Sequence, residues 1–229
     1  MSRIKAVFMY FTRGELLLWC LSVVLIIVSF AVFDREGYLV LTASVIGVTS
    51  LIFNAKGNPF GQFLMIIFSV LYGIISFTFA YYGEMITYLG MTLPSAIVAM
   101  VNWLRHPYDE REVEVNVLSK KNWLFLIVSS IIVTVALGYI LHIFGTTNML
   151  FSTVSITTSY FASMLTIMRS QYYAVAYALN DIVLIILWTL ATIVNINYLP
   201  MIICFIIFLV NDLYGFMNWK IMKNRQKAL

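Results

Sequence analysis

Two neighbouring stretches decide how this chain is read: QYYAVAYALNDIVLIILWTLATIV at residues 171–194 and LPMIICFIIFLVNDLYGFMNW at residues 199–219. Each is long and apolar enough to cross a bilayer as a helix. Each also carries an Asn-Asp pair near its middle, Asn180-Asp181 and Asn211-Asp212. An ionisable or amide side chain at such a depth costs roughly 2.5–3.5 kcal/mol on insertion scales, so it normally faces a cavity, a ligand or another helix. Residues three and four apart share a helix face, which aligns Tyr173, Tyr177, Asn180 or Asp181, Leu184 and Trp188 in one segment. In the other it aligns Phe208, Asn211 or Asp212, Gly215 and Asn218 or Trp219. Counting about 1.5 Å per residue puts Asn180 and Asn211 both roughly 12–14 Å deep, near the midplane, as expected of one shared site. The plainer alternative is that these side chains only hydrogen-bond neighbouring helices.

The rest of the 229 residues agrees: 62% are hydrophobic, 10% are charged and the mean hydropathy is +0.94. That is far from a soluble domain and fits an integral membrane protein. Apolar runs predict eight spans, roughly 16–33, 38–53, 62–82, 85–104, 123–144, 149–168, 172–194 and 199–219, with short loops between them. With eight spans, every one of the 14 Lys and Arg residues except Arg35 falls on one side, which places both termini in the cytoplasm. The basic residues flank helices singly or in pairs, so the net charge of +4 reports orientation and not nucleic-acid binding. Arg3, Lys5 and Arg13 before an apolar run imitate a secretory signal, but the run is long and lacks a small-residue cleavage pattern, so a retained first helix is expected. Cys20 and Cys204 lie inside apolar runs without CxxC spacing, and no metal site, disulfide or cofactor is indicated.

In chain order, residues 1–15 interleave Phe8, Tyr10 and Phe11 with basic residues, as suits an interfacial segment, and a polar turn follows the first span at Asp34-Arg35-Glu36-Gly37. The second span carries Thr42, Ser44, Thr49 and Ser50, and the third offers Gln62, Ser69, Tyr72, Gly73 and Ser76 along one face. Pro94 interrupts the fourth and invites a kink. The long charged stretch from Arg105 to Asn122 reads as a cytoplasmic linker between halves of four spans each. Val101-Asn102-Trp103-Leu104 can be set against Val210-Asn211-Asp212-Leu213, which suggests parallel internal repeats. The sixth span, with Ser152, Thr153, Ser155, Thr157, Thr158, Ser159, Ser163 and Thr166, has hydroxyls all round, fitting a helix placed between others or along a hydrated path.

The segment from Ser170-Gln171-Tyr172-Tyr173 through Asn180-Asp181 to Trp188, and the Asn-x-x-Tyr-Gly-aromatic-x-x-Trp pattern of residues 211–219, resemble the closing helices of the bacterial Pnu-type (PnuC) nicotinamide riboside transporters. The resemblance implies an all-α membrane protein related to the SWEET sugar transporters. Two parallel three-helix bundles, spans 2–4 and 6–8, would be joined by span 5 as a linker helix, with span 1 an extra N-terminal helix. The implied divisions are 1–37, 38–104, 105–148 and 149–229. The first half departs from the pattern, since Asn102-Trp103-Leu104-Arg105-His106-Pro107-Tyr108 lacks the Tyr-Gly step.

The implied ligand is nicotinamide riboside, a flat pyridinium with a carboxamide and a ribose. Trp188, Tyr177 and Tyr214 are then candidates to sandwich the cationic ring, Asn180 and Asn211 to pair with its polar groups, and Asp181 or Asp212 to offset its charge, with Asn218, Gln62 and Tyr72 as further lining residues. A phosphorylated ligand would need an Arg or Lys in so dry a place, and none is expected within a span. The resemblance further implies a multi-pass protein of the bacterial cytoplasmic membrane that takes up this NAD precursor by facilitated diffusion. Its partners are the substrate and the lipid bilayer, with room for a homo-oligomer and no nucleic acid. The rival readings are proton-coupled transport of another nucleoside or a sugar through Asp181 or Asp212, and a membrane-embedded enzyme. His106 and His142 sit at span ends without a metal or nucleophile setting, and no HExxH or GxSxG occurs. A retinal-type receptor would require a mid-helix lysine.

Overall fold

In lipid a chain satisfies its backbone only as helices or a closed barrel, and apolar runs of this length choose helices. The computed structural model of the protein describes residues 10–33, 35–78, 81–109, 111–146 and 148–228. Among these residues are eight helices of spanning length. They are α1 (Arg13–Phe33), α2 (Tyr38–Ala55), α3 (Pro59–Thr78), α4 (Tyr82–Arg105), α5 (Lys120–Ile143), α6 (Met149–Ile167), α7 (Tyr173–Val194) and α8 (Leu199–Lys227). The expected Arg3, Lys5 and Phe8 of the interfacial segment, and Asp34 of the first turn, lie outside the described residues.

Two boundaries differ from expectation. The third helix stops at Thr78 rather than at residue 82, so α4 begins at Tyr82 and takes in Glu84. The last helix runs on to Lys227, because its polar end carries Arg225 and Lys227, cations that suit a helix C-terminus, and rests on the linker loop. The expected disturbance near Pro94 is a π-helical turn at Tyr88–Thr92, in which the Leu93 N–H reaches back to the Tyr88 carbonyl. The wider turn absorbs the missing proline N–H without ending the helix.

Six helices close a ring by successive contacts: α2 on α3, α3 on α4, α4 on α6, α6 on α7, α7 on α8, and α8 back on α2. The other two lie outside it. α1 packs in the groove between α2 and α8, and α5 packs along α6. Their outer faces, such as Leu17, Val24 and Val28 on α1 and Ile131, Ile132 and Val135 on α5, are exposed and face lipid.

The closing contacts α4–α6 and α8–α2 are made in the same way. At the end of α4, Asn102 Nδ2 donates to the Ile167 carbonyl (2.6 Å) and Trp103 Nε1 to the Thr166 carbonyl (2.9 Å). In the last turns of α8, Asn218 Nδ2 donates to the Ala55 carbonyl (2.7 Å) and Trp219 Nε1 to the Asn54 carbonyl (2.8 Å). Each Asn-Trp pair adds donors to the last carbonyls of a neighbouring helix, of which Asn54 and Thr166 also accept the backbone N–H of Gly57 and Arg169 in the turns that follow. In these contacts the counterpart of Asn102-Trp103 is Asn218-Trp219, whereas the sequence comparison set Asn102-Trp103 against Asn211-Asp212.

On the same side of the molecule the linker forms an ordered cap. Pro107 and Val113 make an antiparallel bridge. The Val113 N–H donates to the Gly57 carbonyl (3.0 Å), Glu112 pairs with Arg225, and Gln226 accepts from the Val115 N–H at 2.7 Å. Gly57 turns the chain between α2 and α3 at φ +65°, and a Cβ there would lie 2.7 Å from Met222 Cε.

Candidate functional site

Along α7 and α8 the side chains facing the ring's interior fall into three layers, ordered by their distance from the helix ends. The inner layer is aromatic. Trp103 and Trp219, one from each half, meet at 5.3 Å between ring centroids, and Tyr173 stands edge-on to Trp219 at 4.8 Å. Both indoles are fully buried and fixed by the carbonyl bonds already described.

The middle layer is polar. Asn180 Oδ1 accepts hydrogen bonds from Thr158 (2.8 Å), Ser159 (2.9 Å) and Ser155 (3.4 Å), so the hydroxyl-rich α6 turns one face to α7. The carboxyls of Asp181 and Asp212 meet between α7 and α8. Both residues are buried, and Asp181 Oδ2 has no partner among the described residues. Tyr177, one turn below, lies beside Ser163 and Thr166 and near both aspartates.

The outer layer is aromatic again. Trp188 Nε1 donates to the Tyr72 hydroxyl at 2.9 Å, and the indole is flanked by Tyr81 at 5.0 Å and Tyr198 at 5.9 Å. Tyr72 in turn touches Tyr88 (4.2 Å) and Phe205 (5.7 Å). Tyr81 lies between α3 and α4. Its phenol is pushed above the usual range by burial first, then by neighbouring Tyr198 and Glu84.

Of the residues singled out from sequence, the structure brings Trp188, Tyr72, Tyr177, Asn180, Asp181 and Asp212 into these layers. The other four lie elsewhere. Asn211 turns to the outer flank of α8, where its Nδ2 donates to Ser22 of α1 (3.1 Å) and to the Ile207 carbonyl (2.9 Å). It thus shares the depth of Asn180 but not its surroundings. Tyr214 donates to Glu15 of α1 at 2.7 Å, and Glu15 also holds Lys56 at 3.1 Å. Gln62 Nε2 donates to Asn54 Oδ1 (2.8 Å), within a polar knot of α2 and α3 that includes Ser50, and Asn218 belongs to the α8–α2 closure.

Sequence reasoning missed Glu84. With the fourth span expected from residue 85, this carboxylate falls in the preceding turn. The structure buries it to 2% exposure. The available signal was its place beside Tyr81 and Tyr82, an acidic residue among aromatic ones at a membrane interface.

A family model described as nicotinamide mononucleotide transporter matches residues 37–221. A nicotinamide riboside transporter PnuC of Neisseria mucosa is 28% identical over 203 residues, covering 86% of this chain and 77% of that protein. The nicotinamide riboside transporter PnuC of Haemophilus influenzae is 23% identical over 187 residues, covering 80% of each. A crystal structure described as that of the vitamin B3 transporter PnuC superposes with a TM-score of 0.83 at 27% identity, covering 94% of both chains.

Proposed function

The chain belongs to the nicotinamide mononucleotide transporter family, and on that premise we propose that it takes up nicotinamide riboside, the substrate its named relatives carry. It is a multi-pass membrane transporter, not an enzyme. The observation that carries the choice of substrate is that the ionisable groups of the interior are acidic. Glu84, Asp181 and Asp212 are all buried in the bundle, whereas among the described residues none of the ion pairs of Lys and Arg involves them and the basic side chains stand toward helix ends or in loops. Such an interior favours a pyridinium cation. It opposes a phosphate, which would need Arg, Lys or a cluster of free N–H groups to hold it. The mononucleotide of the family's description is therefore the poorer ligand.

Trp188 and Tyr72 face the ring, Asn180 with the α6 hydroxyls meets the carboxamide or ribose, and the Asp181–Asp212 pair lies behind them. The aromatic layers on either side act as the two closures of alternating access. The units that rock are α2–α4 and α6–α8, a division supported by their matched Asn-Trp closures. Transport is facilitated diffusion through the bacterial cytoplasmic membrane, with both termini on the basic, cytoplasmic side.

One observation favours a second reading. The Asp181 and Asp212 carboxyls meet with no base beside them, and intramembrane carboxyls of this kind carry protons in pumps. Uptake measured with and without a proton ionophore separates the two. The substrate itself is tested by binding of nicotinamide riboside, other nucleosides and simple sugars to purified protein. Tighter binding of another nucleoside or of a sugar rejects the proposal.

A further inference from the structure

Glu84 is a buried carboxyl with no ion-pair partner among the described residues. It occupies the third position of α4, where a glutamate often reaches back to the N–H that precedes the helix. Here that N–H, of Tyr81, already donates to the Ser76 carbonyl at 2.8 Å. Neither Glu84 oxygen takes a well-aligned hydrogen bond among the described residues, and the Ser155 hydroxyl beside it is turned to Asn180 Oδ1 at 3.4 Å. No described cation pairs with it. Arg35, the basic residue of the outer side, directs its Nε to the Ala31 carbonyl.

What does lie near Glu84 is aromatic. Tyr72, Tyr81 and Tyr88 are its neighbours, and they belong to the cluster around Trp188. A buried carboxylate beside an aromatic cluster, with neither oxygen in a well-aligned hydrogen bond among the described residues, is an arrangement that recognises an organic cation. The rings offer their negative faces, and the carboxylate supplies the formal countercharge.

We infer that Glu84 is a binding residue for the substrate's cationic ring in the outer aromatic layer, and the residue through which the carrier prefers a pyridinium to its uncharged counterpart. This rests on the nicotinamide riboside reading and adds to it a specificity determinant. The substrate class it defines is flat, singly positive nicotinamide nucleosides. The reduced 1,4-dihydro nucleoside, identical in carboxamide and ribose but neutral, is disfavoured.

The test compares binding of nicotinamide riboside and of its 1,4-dihydro form to purified wild type, Glu84→Gln and Glu84→Asp, with melting temperature as the folding control. Wild type is expected to prefer the cation at least tenfold. Glu84→Gln, of the same shape but uncharged, loses tenfold or more in affinity for the cation and changes less than twofold toward the neutral form. Glu84→Asp keeps the preference. The inference is overturned if Glu84→Gln binds the cation as wild type does, or if it weakens both forms equally, as a purely structural residue would. Wild type that binds neither form rejects the functional reading itself, a failure visible without any variant.

Discussion

Trp188 and Trp103 are matched tryptophans with opposite assignments, and exchanging each for leucine separates a binding role from a packing role. Trp188 is 1% exposed and donates its indole N–H to the Tyr72 hydroxyl, and Trp103 is fully buried and donates to the Thr166 carbonyl. Each Trp→Leu change therefore removes one buried hydrogen bond and part of one indole's packing. The stability cost is on the order of 3 kcal/mol for both. Only Trp188 stands in the layer assigned to the pyridinium ring. A cation over a desolvated indole face is worth roughly 0.5–2 kcal/mol. Its loss weakens binding about 2- to 30-fold, at about 1.4 kcal/mol per tenfold. Titration calorimetry with nicotinamide riboside, beside a melting curve for each variant, reads both quantities. Similar melting shifts with an affinity loss confined to Trp188→Leu are expected. Equal affinity losses in the two variants, or none in Trp188→Leu, would refute the assignment of the ring to the outer layer.

Asn180→Ala removes the acceptor of the Ser159 hydroxyl and one of the acceptors of Thr158, together with a proposed ligand contact, so it is expected to lower both melting temperature and affinity, the latter by about 1–3 kcal/mol. Asn211→Ala instead loosens α1 at Ser22 and is expected to lower the melting temperature while leaving the dissociation constant within about twofold, since a side chain on the flank makes no ligand contact; a large affinity loss would return Asn211 to the site. Gly57→Ala forces a side chain into φ +65° against Met222, a conformation costing roughly 1–2 kcal/mol, and is expected to lower the melting temperature without changing affinity. Glu15→Gln removes the ion pair with Lys56 and weakens the Tyr214 bond, detaching α1 from α2 and α8 at their inner ends. Increased protease cleavage near Arg13 is the expected outcome, and unchanged protection would show that apolar packing alone holds α1.

The spans were legible because lipid imposes one demand, length with low charge, and all eight runs meet it. Side-chain direction was less legible. Asn180 and Asn211 look equivalent by depth, but depth does not tell which flank of a helix meets a neighbour, and α1 had no partner assigned that would claim Asn211. Glu84 was lost to a boundary of a few residues, since the polar start of α4 resembles a loop. The sequence comparison set Asn102-Trp103 against Asn211-Asp212, but its like in contacts is Asn218-Trp219. Asn-Asp looked like the partner of Asn-Trp because both sit in a Val-Asn-x-Leu frame, whereas the equivalence lies in which carbonyls the amide and indole reach.

Uptake of radiolabelled nicotinamide riboside into liposomes bearing the purified protein, with no gradient other than that of the substrate, tests the central claim most directly. Saturable uptake is expected that stops at equal concentration inside and out, is unchanged by a proton ionophore and is displaced by unlabelled nicotinamide riboside but not by nicotinamide mononucleotide. Absence of protein-dependent uptake, or displacement by the mononucleotide at similar concentration, would contradict the account.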